Sequence, residues 1–313
     1  MDKEAMVNKL VCDDVDEYSD LFDGWTHRTI QTEPGRFGYK GHSIRLPGLD
    51  IHLDQHSRSL RWCEFPHSPV TSIFVPLKCS GSVMWRGQDL SANSIILQGK
   101  GEEQHFVVGP QMQAIFIDIS RELTLDLGWN KLGNGHMRVL PAQRNKLVRY
   151  CLDLAKNNGI QIKDDQNLPI RNTVLRLLHH LFSAPHELKE KCDRNIQISD
   201  FEVLLLCEDS LQKSGLAKPP SNADLALEIG VSERRFYRAF ENQLGMSPSR
   251  YMEILRLHGL RQRLLTAVNA NLKIADAMTE FGFSNAGRTA KRYNDLFLEY
   301  PKETALRSKR AAF

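Results

Sequence analysis

The spacing of apolar residues changes character twice along the chain. Between positions 24 and 140 it consists of short alternating or apolar runs, at 48–53, 70–77, 82–85, 94–97, 105–108 and 113–119. Gly, Pro, Asn and Ser punctuate them every eight to twelve positions. Such runs predict an antiparallel β sandwich or barrel. From 141 the period becomes helical. Leu147, Cys151 and Leu154 form one stripe, and Ile170, Val174, Leu177, Leu178 and Leu181 form another over 169–182. These helices are expected either to pair with a second subunit or to cover the open edge of the β domain. A charged stretch with Pro185 follows over 183–195 and predicts a linker. A further helix over 199–213 turns Phe201, Leu204, Leu205 and Leu211 inward.

From Ser221 onward the pattern is more specific, because it repeats. Ser221 followed by Asp224 has the spacing of a capping box. Leu225, Ala226 and Ile229 then form a buried stripe, and Gly230 supplies a left-handed stop. Ser232 caps a second helix in which Phe236, Ala239 and Phe240 face inward. Glu233, Arg234, Tyr237 and Arg238 are left pointing outward. Two guanidiniums and a phenol on one exposed helix face suit base edges and phosphates in a major groove. Gly245 to Pro248 ends this unit, with Ser247 as cap and Pro248 at the first helical position. The helix that follows spans roughly 30 Å at about 1.5 Å per residue, close to the ~34 Å between successive groove faces. The plan then recurs. Ile274, Ala275, Met278 and Phe281 form the stripe, Gly282 the stop and Ser284 the expected cap, with Ala286, Gly287, Arg288 and Lys291 outward. This second face has two cations and no amide or phenol, a composition suited more to the backbone than to base reading.

Composition sharpens this picture at three points. Residues 216–313 hold 16 Lys and Arg against 10 Asp and Glu, whereas the whole chain has a net charge of +3, so the positive balance lies on the repeated module. No apolar run has the length of a membrane span or a signal peptide, which predicts a cytoplasmic protein. Six cysteines show no C-x-x-C pair or metal-ligand spacing, and reduced thiols are expected. No nucleotide-binding loop, dinucleotide fingerprint or nucleophile elbow is present, so neither catalysis nor a cofactor is expected. His52 and His56 share a strand face but would stand about 13 Å apart, too far for one metal ion. Glu102-Glu103-Gln104-His105 lacks the ligand arrangement of metal-binding cupins, so no metal site is expected. Arg61, Trp62, Trp85 and His105 are candidate effector-binding residues, as an aromatic wall with polar anchors.

Together, Gly230-Val231-Ser232 with Arg234, Phe236, Arg238 and Phe240, then Gly245-Met246-Ser247-Pro248 with Tyr251, Arg256-Leu257, Ile274-Ala275, Gly282-Phe283-Ser284, and Phe297 with Pro301, make about a third of the chain resemble the DNA-binding region of the AraC/XylS family of bacterial transcriptional regulators. The resemblance implies an α+β chain: a cupin-like β-barrel sensor (1–140), a helical dimerisation or cover segment (141–183), a linker (184–198) and an all-α domain with two helix-turn-helix subdomains joined by a linker helix (199–313). It implies that Arg234, Tyr237 and Arg238 contact bases and that Arg288 and Lys291 lie on the second reading helix. It further implies double-stranded operator DNA as partner, a small effector, a homodimer and, for an activator, RNA polymerase. Two positions depart from the family pattern: Thr289 replaces a large apolar residue, and Leu298 replaces a glycine. These departures favour the competing expectation of a protein-interaction adaptor whose helical module no longer binds DNA strongly.

Overall fold

A computed structural model describes residues 7–22, 24–91, 93–99, 102–129, 135–156, 162–183, 188–189, 198–266 and 273–310. The chain forms two compact units, one of Met1–Thr29 with Gly38–Arg194 and one of Ile30–Phe37 with Asn195–Phe313. Most of the expected linker lies outside the described residues.

The first unit is built on strands. In chain order they are β1 (Val7–Cys12), β2 (Trp25–Gln31, whose last two residues belong to the second unit), β3 (Tyr39–Leu46), β4 (Leu49–His56), β5 (Leu60–Pro66), β6 (Val70–Lys78), β7 (Val83–Trp85), β8 (Gln88–Asp89), β9 (Ser94–Gln98), β10 (Gln104–Val108), β11 (Met112–Ser120), β12 (Gly135–Arg138) and β13 (Leu188–Lys189). Four helices accompany them: α1 (Val15–Ser19), α2 (Arg121–Asp126), α3 (Pro141–Ala155) and α4 (Asp164–Phe182). The larger sheet has the order β1-β3-β4-β11-β6-β9-β12-β13 and the smaller β2-β5-β10-β7-β8. Because β1 and β13 end the one and β2 and β8 the other, neither closes on itself. The expected barrel is therefore a pair of open sheets among the described residues. The β3–β4 hairpin turns in two residues, Pro47 and Gly48, and Gly48 takes the left-handed backbone (φ 72°) that such a turn demands.

Strand alternation decides what each face of the large sheet holds. Leu49, Ile51 and Leu53 of β4, Ile73 and Val75 of β6, and Ile115, Ile117 and Ile119 of β11 form one buried cluster with Leu147 and Cys151 of α3 and Val174, Leu178 and Leu181 of α4. Each such aliphatic side chain stabilises the fold by roughly 1.5–3 kcal/mol relative to exposure, so α3 and α4 pack over the sheet's face rather than its edge. The alternate positions, His52 and Asp54 of β4 and Phe116 and Asp118 of β11, share a cavity with His27 of β2 and Glu64 of β5 from the smaller sheet. Helix α4 begins five residues before Pro169. Two acids occupy its first turn, where the helix dipole favours them, and the proline removes a single interior hydrogen bond.

The second unit contains seven helices among the described residues: α5 (Asp200–Ser214), α6 (Asn222–Ile229), α7 (Glu233–Leu244), α8 (Pro248–Thr266), α9 (Ile274–Glu280), α10 (Ala286–Phe297) and α11 (Pro301–Arg310). Leu204, Cys207, Leu225, Phe236, Phe240 and Tyr251 lead the core of its first half, on which Ile30 also packs. Residues 30–37 are stitched into this unit by backbone groups. The Gln31 amide donates to the carbonyls of Glu33 (2.7 Å), Gly35 (2.6 Å) and Leu296 (2.8 Å), the Gly35 N–H also donates to Leu296 (3.0 Å), and His258 Nε2 lies 3.1 Å from the Gln31 carbonyl. No helix among the described residues is long and apolar enough to cross a membrane.

Candidate functional site

The first helix-turn-helix forms as its spacing dictates. The Ser221 hydroxyl accepts from the Asp224 N–H (3.1 Å) while the Asp224 carboxylate accepts from the Ser221 N–H (3.2 Å), which ties down the start of α6. Gly230 then turns at φ 77°, and Ser232 caps α7 by accepting from the Arg235 N–H. Phe236, Ala239 and Phe240 are fully buried, whereas Glu233, Arg234, Tyr237 and Arg238 are exposed on the opposite face. One contact was not foreseen: Asn222 donates through its Nδ2 to the Tyr237 hydroxyl (2.6 Å) and to Ser249 Oγ (2.9 Å). The phenol is thereby held in one orientation, its own proton directed away from Asn222.

The second unit departs from expectation at its cap. Asn285, not Ser284, starts α10, its side chain accepting from the Arg288 N–H at 2.9 Å. Both residue types cap well, and the three-residue reach to the first free N–H selects the later one. Thr289 is buried and returns its hydroxyl to the Asn285 carbonyl (2.8 Å), so a polar side chain is accommodated at the normally apolar position. Leu298 ends α10 in a left-handed conformation (φ 52°) with its N–H on the Asn294 carbonyl, the backbone that glycine usually supplies. Ala286, Gly287, Arg288 and Lys291 are exposed together on the outward side.

The arginines of the module fall into two groups among the described residues, while Lys218, Lys273 and Lys302 are exposed elsewhere. Arg235 donates to the Ile198 carbonyl. Arg256 donates to the carbonyls of Phe281 and Gly282 and lies 4.3 Å from the Phe283 ring centroid. Glu253 accepts from Arg250 and Arg292, Glu299 from Arg307 (3.0 Å) with Arg261 at 3.5 Å, and Glu280 from Arg263. These arginines are committed to the fold. Arg234, Arg238, Arg288 and Lys291 enter no ion pair among the described residues, and all four lie on the outward faces of α7 and α10. Their charge is left for an external polyanion. The 19 residues of α8 extend about 28 Å between the two helix-turn-helix units.

The β unit holds a small, partly open cleft in a different place from the expected effector residues. It is lined by Tyr18 of α1, Phe22 of the loop after it, Trp25 and His27 of β2, His52 and Asp54 of β4, Glu64 of β5, and Phe116 and Asp118 of β11. Burial pushes Asp54 and Asp118 up to about 7 and Glu64 up to about 8, while His27 and His52 are lowered to about 4. Both ring nitrogens of His27, Nδ1 of His52, Oε1 of Glu64 and Oδ1 of Asp118 are buried without a hydrogen-bond partner among the described residues. The two histidine–carboxyl pairs, His27 Nδ1 with Glu64 Oε2 and His52 Nε2 with Asp118 Oδ2, both stand 3.9 Å apart, too long for a direct bond.

None of Arg61, Trp62, Trp85 and His105 lines this cleft. Trp62 stacks on Phe106 (4.7 Å) and approaches the lining residues Phe116 and Glu64 without itself lining the cleft, and Trp85 donates to Gln104 Oε1. Arg61 donates to the Trp62 carbonyl, with its Nη2 3.0 Å from His105 Nδ1. Cys63, Glu103 and His105 bring ligand-type atoms within 4.8 Å of one another, the Cys63 thiol donating to Glu103. The cleft residues come from five separate elements and, for Phe22, from the loop between α1 and β2. Only the alternation of His52, Asp54 and His56 along β4 hinted at a polar inner face.

Comparison with known proteins places the second unit. A family model described as a helix-turn-helix domain matches residues 225–307, which takes in both subdomains. The chain is 34% identical over 86 residues to a probable thc operon regulatory protein of Rhodococcus erythropolis, covering 28% of this chain and 26% of that protein. It is 33% identical over 108 residues to XylDLEGF operon transcriptional activator 3 of Pseudomonas putida, covering 34% and 31%. A solved AraC-type transcriptional regulator from Chromobacterium violaceum shares 29% identity with a TM-score of 0.32, over 34% of this chain and 92% of that one. The matched stretch thus spans about a quarter to a third of the curated relatives' length. With its two subdomains, glycine stops and outward arginines, the carboxy-terminal unit is a double helix-turn-helix domain of the AraC/XylS family.

Proposed function

We propose that the protein is a cytoplasmic, sequence-specific DNA-binding regulator of transcription, not an enzyme. Each protomer lays α7 and α10 in two successive major-groove segments of operator DNA. The carrying observation is the sorting of arginines: seven are engaged by carbonyls and carboxylates of the unit, whereas Arg234, Arg238 and Arg288, with Lys291, stand exposed and unpaired among the described residues. Arg234, Tyr237 and Arg238 read bases, with Tyr237 oriented by Asn222. Arg288 and Lys291, beside Ala286 and Gly287, hold the backbone, because their face offers no amide or phenol. A small effector bound in the β unit alters this binding, a reading supported by the cleft and its unpartnered buried atoms. Homodimers and, for an activator, contact with RNA polymerase complete the assembly.

Gel-shift titration of genomic promoter fragments at several salt concentrations tests the proposal. At least one fragment should be bound well above the rest, with log K falling linearly as log salt rises. Uniform weak binding to every fragment at low salt would leave the interaction-adaptor reading in its place.

A further inference from the structure

We infer that the cleft of the β unit binds a small organic cation, an ammonium or amidinium compound with an apolar body. The inference rests on the reading of this unit as an effector site and adds the chemistry of the effector. Three carboxyl groups, Asp54, Glu64 and Asp118, line the cleft, and no Lys or Arg does. The two lining histidines cannot balance the carboxylates, because burial holds both rings neutral at physiological pH. Burial also keeps the carboxyls largely protonated in the empty cleft, Asp54 and Asp118 at about 7 and Glu64 at about 8, so the charge that this lining can develop is negative, and a bound cation is what would develop it.

Two further observations aim the deficit at a ligand. The first is the set of unpartnered polar atoms: Glu64 and His27, with side chains only 4% and 7% exposed, present Oε1 and both ring nitrogens without a hydrogen-bond partner among the described residues. Buried polar groups left unsatisfied are costly, so their persistence marks a place for something that satisfies them. The second is the wall. Tyr18, Phe22, Trp25 and Phe116 surround the carboxyls, and aromatic faces attract a desolvated cation through their quadrupoles. An apolar body against the rings and a charged head against Glu64 and Asp118 uses both features. A metal ion fits less well, since the ligand-type atoms of these residues form no cluster of three within 4.8 Å of one another among the described residues. An anion would face three carboxyls.

A cation entering the cleft displaces the protons that the carboxyls hold there, so binding releases protons and strengthens as pH rises toward the folded pKa values. The test uses the full chain and four probes: benzylammonium and choline as cations, benzyl alcohol as neutral analogue and benzoate as anion. Calorimetry in two buffers of different ionisation enthalpy reads both affinity and proton release, and the change in tryptophan fluorescence lost on Trp25→Phe reads occupancy. At least one cation should bind, releasing protons, with affinity reduced tenfold or more by Glu64→Gln or Asp118→Asn. Each variant replaces a protonated acid with its isosteric amide, and unchanged unfolding at mildly acidic pH confirms that it folds. Binding of benzyl alcohol or benzoate alone overturns the cationic class and leaves an effector site standing. Binding of none of the four probes overturns the cationic class. Cation binding that leaves promoter binding unchanged keeps the ligand and overturns the regulatory reading.

Discussion

Raising the pH from about 6.5 to about 8.5 should destabilise the ligand-free β unit by about 2 kcal/mol, and the size of the loss follows from the cleft. Asp54, Glu64 and Asp118 titrate at about 7, 8 and 7 in the fold, against ordinary values of 3.8, 4.5 and 3.8. Across this window the folded chain holds protons that the unfolded chain has already lost. Folding therefore takes up protons, and stability falls as pH rises through the folded values. Integrated over the window, the three carboxyls remove about 3 to 4 kcal/mol. The histidines oppose this. His27, His52 and His56, lowered from 6.5 to about 4, favour the fold as pH climbs from about 4 through 6.5, and the last part of that gain returns about 1 kcal/mol. Urea unfolding followed by tryptophan fluorescence isolates the effect, because Trp25, Trp62, Trp85 and Trp129 all belong to the β unit. Glu64→Gln removes the largest contributor and should shrink the net drop below about 1 kcal/mol. A midpoint that stays level or rises between the two pH values, or a Glu64→Gln chain that loses as much as the parent, would refute the reasoning.

Three other outcomes are expected. Arg238→Ala should weaken binding by roughly 1–3 kcal/mol and relax preference at one base pair, measured by competition among operator variants. Lys291→Ala should weaken binding alike on all sequences and reduce the salt slope by about one, so a shift in sequence preference would contradict its role as a backbone anchor. Gln31→Ala removes an amide that donates to three carbonyls and should destabilise the helical unit by about 2–3 kcal/mol, seen by circular dichroism in urea with the tryptophan transition unmoved.

What was legible in the sequence was local. The Ser221–Asp224 box, the Gly230 stop and the split of α7 into Phe236 and Phe240 inward and Arg234 and Arg238 outward depend on neighbours a turn or two away, and the structure holds them as read. The cap of α10 failed for the same local reason, since Ser284 and Asn285 are adjacent and only backbone geometry selects between them. The cleft was not legible. Its residues come from α1, the loop after it, β2, β4, β5 and β11, and which of two alternating sets faces inward is decided by what covers the other face, here α3 and α4. Arg61 and Trp62 are sequence neighbours on β5 and so take opposite faces. Whether the expected sandwich or barrel closes was not legible either, because alternation records that strands pair, not whether the last meets the first, and among the described residues both sheets stay open.

The helical unit is discontinuous in sequence, and this changes what a truncated protein would be. A fragment beginning at residue 195 would contain both helix-turn-helix subdomains yet lack residues 30–37. The Leu296 carbonyl, at the end of the second outward helix, would lose the Gln31 and Gly35 donors, and His258 would lose the Gln31 carbonyl. Cutting the chain between residues 184 and 197 would sever the covalent link without removing those bonds, so the two pieces should copurify until denatured. The conventional boundary before α5 thus delimits the recognition elements but not the folding unit, and a faithful minimal DNA-binding fragment would need the short early segment supplied in trans or grafted on.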